Sequence, residues 1–128
     1  MSTKKLSSLF SLPWALAFPR LSRALGGYNP SHEVENGQAF PFLVGQPDDG
    51  AFVLVRSEQT EMVIVAFEGV NKLKDACPVL LDLAKAIKAT TIRIHTKRPG
   101  EQRYLNRLGY PFELVEKQGD EFVLRMVI

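Results

Sequence analysis

The stretch EQRYLNRLGYPFELVEKQGDEFVLRMVI, residues 101–128, carries the clearest local pattern in the chain. Apolar residues at helical spacing predict a helix over 99–108, and Gly109 is placed to end it. Two strand-like runs, 112–117 and 121–128, then flank Gln-Gly-Asp, which is typical of a β-hairpin. The chain is therefore predicted to close with a helix followed by two antiparallel strands.

The segments before this stretch alternate between strands and a helix. Residues 61–69 form an almost unbroken apolar run, which is typical of a central strand covered on both faces. A helix over 72–88 has one apolar stripe, and an alternating strand over 90–96 follows it. This strand–helix–strand order predicts a right-handed parallel crossover. Further strands are predicted at 40–45 and 51–58, which gives an α/β fold with a mixed sheet.

The N-terminal region, 1–30, is apolar and basic. We predict a short helix near 4–11 and a second helix over 14–25, followed by a loop over 29–39. One face of the second helix carries large apolar side chains, which either cover the sheet or meet a partner protein or a membrane. Those side chains include Trp14, Phe18 and Leu21.

Composition bounds the class of protein. The chain has 128 residues, of which 45% are hydrophobic and 23% charged, so we expect one globular domain over 1–128. The net charge of +2 is too small to indicate nucleic-acid binding. One cysteine excludes an internal disulfide, and the few Cys and His residues predict no metal site. Lys4 and Lys5 begin the outline of a signal peptide, but Pro13 and several serines interrupt it, so we expect a cytoplasmic location.

From about residue 40 onward the chain resembles the GCN5-related N-acetyltransferase (GNAT) superfamily. The resemblance rests on MVIVAFEGV at 62–70, VLLDLAKAI at 79–87, TIRIHT at 91–96 and RYLNRLGY at 103–110. The last of these is similar to the family pattern r-F-Y-e-k-l-G-F. The resemblance implies a single-domain GNAT-like mixed sheet and covers roughly two thirds of the chain.

The resemblance also implies a place for acetyl-CoA. The family binds the pyrophosphate through backbone N–H groups at the start of the helix after the central strand, where its sequence reads Arg/Gln-x-x-Gly-x-Gly/Ala. This chain has KLKDACPVLL at 72–81, with Asp75 and Cys77 in the places of the glycines. We therefore expect no cofactor, and acetyl-CoA if the chain is an active enzyme. The residues left to bind it are Val70, Lys72 and Lys74.

Two further residues are candidates for catalysis. Many family members use a tyrosine to protonate the leaving thiolate, and in this register that place falls at Leu105, which has no proton to give. Tyr104 is adjacent but points about 100° away around the helix, and it is the remaining candidate. Glu68, at the end of the central strand, is the candidate general base. The alternatives are a boundary tyrosine and a solvated turn residue.

Basic residues cluster between positions 93 and 107, with Glu101 the one acid among them. Such a cluster can bind phosphate, nucleic acid or an acidic protein, or it can be an ordinary solvated face. Its members are Arg93, Lys97, Arg98, Arg103 and Arg107.

The first functional hypothesis is a catalytically degenerate GNAT-like module that binds a protein partner or self-associates. It resembles small GNAT-like proteins encoded among the virion and assembly genes of tailed phages. The alternative is a divergent acyl-CoA-dependent N-acetyltransferase, and the second alternative is a small protein associated with membrane, through 1–25, or with nucleic acid. The expected partner surface comprises Trp14, Phe18, Leu21, Arg93, Arg98, Arg103 and Arg107.

Overall fold

The computed structural model describes residues 8–46 and 48–128. Within these residues the chain forms seven strands and four helices. In chain order they are β1 (Leu9–Ser11), α1 (Trp14–Leu25), α2 (Ser31–Glu35), β2 (Ala39–Gln46), β3 (Asp49–Glu58), β4 (Glu61–Glu68), α3 (Leu73–Ala86), β5 (Thr91–Thr96), α4 (Glu101–Arg107), β6 (Glu113–Gln118) and β7 (Glu121–Val127).

The seven strands form one mixed sheet in the order β1-β2-β3-β4-β5-β7-β6. Neighbouring strands are antiparallel, with the exception of β4 and β5, which are parallel and are connected by α3. The closing hairpin joins the sheet through β7, which pairs with β5. The predicted α/β class and parallel crossover are confirmed, and the six predicted strands lie within two residues of the observed ones.

Helices cover the sheet on both faces. On one face, called the α3 face below, α3 and α4 pack on a core that includes Val53, Met62, Leu80, Leu105 and Leu124. On the other, the α1 face, α1 lies over β2, β3 and β4. The core of the α1 face includes Ala17, Leu21, Leu25, Leu54 and Ala66.

The helix α1 has the predicted bounds, 14–25. Pro13 precedes its first residue, and Gly26 ends it with a φ of 59°, a left-handed conformation that glycine adopts without a steric cost. Its buried residues, Ala17, Leu21 and Leu25, recur every four positions and so lie on one side of the helix. This spacing is why α1 can pack on the sheet.

The expected partner surface includes three residues of α1, which are Trp14, Phe18 and Leu21. Leu21 has no exposed area, so it lies in the core of this chain and not on its surface. Trp14 and Phe18 are partly buried against the same core. The Trp14 indole Nε1–H donates a hydrogen bond to Ser31 Oγ at 2.7 Å, which links α1 to α2. The apolar side of α1 is therefore largely used within the molecule.

Two parts of the N-terminal region differ from the prediction. Residues 9–11 form a strand and not a helix, while positions 4–7 of that predicted helix lie outside the described residues. The Gly45 N–H donates to Ser8 O at 2.8 Å, so β1 pairs with an edge of β2 that would otherwise be open. This pairing gives the segment interstrand hydrogen bonds, whereas an isolated helix of so few residues would be only marginally stable. The predicted loop 29–39 contains the one-turn helix α2 and the first residue of β2.

Candidate active site

The strands β4 and β5 separate at their C-terminal ends. Their parallel register begins with Glu61 opposite Thr91 and stops with Ile64 opposite Ile94. Both strands continue beyond this point, β4 by four residues and β5 by two, without pairing with each other. Their facing edges are therefore open to a ligand.

A β-bulge in β4 lies at the point of separation. The pairing with β3 passes from Ile64 to Ala66 across two consecutive β3 residues, so Val65 is an extra residue. Val65 and Ala66 consequently both pack on the α1 face, and Phe67 packs on the α3 face. Because a bulge bends and twists its strand, it accounts for the separation of β4 from β5.

The gap between the two strands is part of a cavity of 610 Å³. Small-molecule sites typically occupy roughly 300–1,000 Å³. The walls come from both faces of the sheet, so the cavity passes between β4 and β5 from one face to the other. We call it the cleft. Its α3-side wall includes Leu73, Cys77, Leu80, Leu105 and Tyr110, and its α1-side wall includes Arg23, Leu25, Tyr28 and Arg56.

Three titratable groups line the α3 side of the cleft. Burial raises the pKa of Glu101, although a hydrogen bond from Thr96 opposes this. Burial, and then the charge of Glu101, raises the pKa of Cys77 to about 11. Burial also raises the pKa of Tyr110, and Cys77 contributes. Near neutral pH the cleft therefore contains a neutral thiol and a neutral phenol, which can donate a proton.

Glu68 lies at the end of β4 and lines the cleft. Arg23 Nη2, on the exposed last turn of α1, donates to Glu68 Oε1 at 3.1 Å. The glutamate side chain retains 25% of its exposure, so solvent and solutes still reach it. The structure thus places the predicted base at the α1-side mouth of the cleft.

A histidine–carboxylate pair connects the opposite strand, β5, with β7. His95 Nδ1 is 2.9 Å from Glu121 Oε1, and Arg93 Nε–H donates to His95 Nε2 at 3.1 Å. Because Nε2 accepts a hydrogen bond, the neutral ring carries its proton on Nδ1 and donates it to Glu121. His95 and Glu121 both line the cleft.

Glu61 connects three strands at the end of the cleft where β4 and β5 are still paired. It accepts hydrogen bonds from Arg93 Nη1 at 2.6 Å, from Arg125 Nε at 2.6 Å and from Thr91 Oγ1 at 2.9 Å. Burial raises the pKa of Glu61, but the hydrogen bonds from Arg125 and Thr91 outweigh it and hold that pKa below its usual range. These contacts join β4, β5 and β7 at the point where β4 and β5 are still paired.

Three residues on or just after α4, which are Tyr104, Leu105 and Tyr110, differ in whether they line the cleft. Leu105 is fully buried and lines the cleft, so the side chain in the family's proton-donor register is apolar. Tyr104 is 37% exposed and is not among the cleft residues. Tyr110, five residues after Leu105, does line the cleft. The structure therefore brings Glu68 to the cleft but leaves Tyr104 outside it.

The start of α3 lies at the rim of the cleft, because Leu73 and Cys77 are both wall residues. Val70 precedes it and is 80% exposed. Lys72 Nζ donates to Asp49 Oδ1, and this bond raises the pKa of Lys72. Lys74 is exposed. The predicted cofactor-binding residues are thus near one another in the chain, but one of their two cations is already paired with a carboxylate.

The predicted basic cluster is divided between two surfaces. Arg93 is paired with Glu58 and Glu61, and its side chain is 19% exposed. Its neighbours in the cluster lie on the loop after β5 and on α4, are exposed, and form no salt bridge with another described residue. They are Lys97, Arg98, Arg103 and Arg107.

In the part of the chain that the structure describes, no helix is long and apolar enough to cross a membrane. The same residues include no group of three or more His, Cys, Asp or Glu side chains placed to hold a metal ion.

The cleft residues that the sequence analysis does not predict include Tyr110, Glu101 and Glu121. Tyr110 stands where the family pattern ends in an aromatic residue. That pattern explains the aromatic ring but gives no role to the hydroxyl group. In the sequence, Glu101 is an isolated acidic residue among basic ones, and nothing there indicates that it lines a cavity. Glu121 lies beside His95 because β7 pairs with β5, and no local sequence pattern reveals that pairing.

Comparisons with known proteins agree with this overall fold. No family model matches the chain, and no curated protein does. Among solved structures, a Bacillus subtilis acetyltransferase in complex with CoA is similar with a TM-score of 0.64 at 14% identity, covering 94% of this chain and 96% of that one.

Two further structures show the same similarity. The ribosomal-protein-S18-alanine N-acetyltransferase from Escherichia coli has a TM-score of 0.65 at 12% identity, over 94% of this chain and 92% of that one. A probable acetyltransferase (GNAT family) from Chromobacterium violaceum has a TM-score of 0.61 at 15% identity, over 93% and 86%. The chain therefore has a divergent GNAT fold, as its sequence resemblance implied, while the resemblance to phage proteins stays a prediction.

Proposed function

We propose that this protein is a divergent acyl-CoA-dependent N-acyltransferase, which moves an acyl group from a thioester to an amine. The observation that carries the proposal is the cleft, which lies between the separated ends of β4 and β5 and is lined by residues from both faces of the sheet. Such a cleft lets a thioester enter from one face and an amine from the other. The similarity to a CoA-bound acetyltransferase supports this function over a purely structural role.

The thioester supplies an activated acyl carbon and a thiolate leaving group. The protein must then provide a neutral amine and a proton for the thiolate. On the α1 side, Glu68 is the candidate for binding the acceptor's ammonium group and taking its proton, because it lines the cleft and is accessible. Glu121, held by His95, adds a second carboxylate that favours a cationic acceptor.

On the α3 side, the thiolate needs a proton donor. Tyr110 lines the cleft and is neutral near pH 7, so it is better placed than Tyr104, which is exposed outside it. Apolar wall residues such as Leu80 and Leu105 exclude water from the same side, which protects the thioester from hydrolysis. We therefore assign the donor to the α3 side and the acceptor to the α1 side.

Calorimetry with acetyl-CoA tests the proposal, and we expect a micromolar dissociation constant. Cys77→Phe should weaken binding by at least about tenfold, because a larger side chain fills the α3-side wall. Lys85→Phe, at an exposed position of the same helix, is the matched control and should bind normally. Absence of binding to the folded wild-type protein, or equal affinity in Cys77→Phe, contradicts the proposal.

A second candidate is a catalytically degenerate module that binds a protein partner or self-associates. It is favoured by Leu105, which places an apolar side chain where the family has its proton donor. A virion or assembly role and a phage origin belong to this candidate. Folded protein that binds no thioester and releases no thiol, yet forms a defined oligomer by light scattering, supports the module over the enzyme.

A further inference from the structure

The connection between β4 and α3 is short and closely packed. β4 ends at Glu68 and α3 begins at Leu73, which leaves four residues. A Cβ added at Gly69 would lie 2.9 Å from the Cβ of Ala51, so this backbone rests directly on β3. Such a connection has no slack with which to wrap around a phosphate group.

The charges at the start of α3 largely cancel. Lys72 precedes the first residue of the helix and is hydrogen-bonded to Asp49, while Asp75, in the first turn, interacts with the same ammonium group. The Lys72 ammonium group is thus shared by two carboxylates, and Lys74, exposed in the same turn, is the remaining cation there. A helix N-terminus attracts anions through its free N–H groups and partial positive charge, and these carboxylates oppose that attraction.

The cleft wall next to the same helix has a different character. Leu73, Leu80 and Leu105 line it together with the neutral Cys77 thiol, and these groups suit an uncharged arm.

We infer that the protein recognises its acyl donor through the pantetheine arm in the cleft, while the Asp49–Lys72 pair and Asp75 keep the nucleotide end of coenzyme A from contributing to binding. The inference rests on the proposed function. The ligand chemistry is that of an acyl-pantetheine thioester, which occurs in free coenzyme A thioesters and on the phosphopantetheine arm of an acidic carrier protein.

The test compares acetyl-CoA with acetyl-pantetheine, which lacks the phosphates and the adenosine. We expect their dissociation constants, measured by calorimetry on the full chain, to differ by less than about fivefold. A diphosphate held by charge-assisted hydrogen bonds would instead favour acetyl-CoA by well over about tenfold. A ratio of fivefold or more overturns the inference and leaves the proposed function standing. If neither compound binds, the proposed function fails as well.

The variant Asp49→Asn separates the ion pair from the rest of the site. It keeps the shape of the side chain but releases the Lys72 ammonium group, so acetyl-CoA should bind more tightly, by about threefold or more, while acetyl-pantetheine is unaffected. Asp120→Asn, in the exposed turn between β6 and β7, is the control and should change neither affinity. Unchanged acetyl-CoA affinity in Asp49→Asn contradicts the role given to this pair.

A third measurement identifies the source of the arm. Acetylated carrier protein that binds more tightly than acetyl-pantetheine supports a carrier-borne donor, and the exposed basic side chains of α4, Arg103 and Arg107, are then the first positions to change. Equal or weaker binding assigns the donor to free coenzyme A thioesters. In both cases the ratio between acetyl-CoA and acetyl-pantetheine decides the inference.

Discussion

At the scale of single residues, the position of one hydroxyl group separates the two tyrosines near α4. Tyr104 is on the helix and 37% exposed, whereas Tyr110 follows the helix and lines the cleft. The backbone N–H of Tyr110 donates to Leu105 O at 3.0 Å, which fixes the residue next to the buried side chain that takes the family's proton-donor place. The phenol of Tyr110 therefore reaches the cleft from a position five residues after Leu105.

We predict that Tyr110→Phe lowers the kcat of acyl transfer by about 100-fold, since general acid catalysis contributes at least that much in many enzymes. The dissociation constant for acetyl-CoA should stay within about twofold, because the aromatic ring is retained. The measurement is thiol release from acetyl-CoA with a panel of primary amines, together with calorimetry.

Tyr104→Phe is the matched control and should retain nearly full kcat, because its hydroxyl lies outside the cleft. The opposite result, a loss in Tyr104→Phe with normal turnover in Tyr110→Phe, would restore Tyr104 as the proton donor.

Single residues were also the hardest to predict from sequence. Glu68 could be proposed because it follows a recognisable central strand, and the structure places it at the cleft. Leu21 could not be distinguished from a surface residue, because an apolar helix face has the same pattern whether it meets a sheet or a partner. Glu121 had no local pattern, since its contact with His95 spans 26 positions of sequence.

At the scale of elements, the cleft depends on two strands that are paired at one end and separate at the other. The bulge at Val65 lies where the two strands separate. At the other end of the pair, Glu61 accepts hydrogen bonds from Arg93 and Arg125 and so connects β4 with β5 and β7. Since Glu61 accepts from arginines on β5 and β7, losing its charge leaves two guanidinium groups without their shared partner. The width of the cleft should therefore depend on a residue that does not line it.

We predict that Glu61→Gln lowers the free energy of unfolding by about 2 kcal/mol, because two charge-assisted hydrogen bonds to a mostly buried group are weakened. Glu113→Gln, on the exposed strand β6, is the control and should change it by less than about 0.5 kcal/mol. Urea unfolding at neutral pH measures both.

The difference between wild type and Glu61→Gln should also depend on pH. The pKa of Glu61 is lowered in the folded protein, so its stabilisation is complete above the unfolded value of about 4.3. It is lost as the pH falls through the lower, folded pKa. A difference that stays constant from neutral pH down to strongly acidic conditions would show that the charge of Glu61 has no such role.

Elements were predicted best where a long pattern had one interpretation. The helix α1 and the strands from β2 onward were predicted closely, because each has several apolar residues at one period. The segment 9–11 was not, because its conformation is set by the open edge of β2 and not by its own residues. The bulge at Val65 lies inside a continuous apolar run, where an extra residue leaves no mark in the sequence.

At the scale of the whole molecule, α1 decides whether the N-terminal region is part of the domain or a separate contact surface. The helix covers β3 and β4 and ends beside the cleft, where Arg23 meets Glu68. One side of it is buried completely, at Ala17 and Leu21, while Leu16 on the other side is 64% exposed. The α1 layer is therefore expected to stabilise the same sheet that carries the cleft.

We predict that Leu21→Ala lowers the free energy of unfolding by about 3 kcal/mol, because it removes a fully buried side chain and leaves a cavity between α1 and the sheet. Leu16→Ala, on the same helix, is the matched control and should change it by less than about 0.5 kcal/mol. Chemical denaturation followed by tryptophan fluorescence suits both variants, because the single tryptophan, Trp14, packs on this layer. Equal and small effects would mean that α1 is not held by this sheet in solution, and would return Leu21 to a surface that meets a partner.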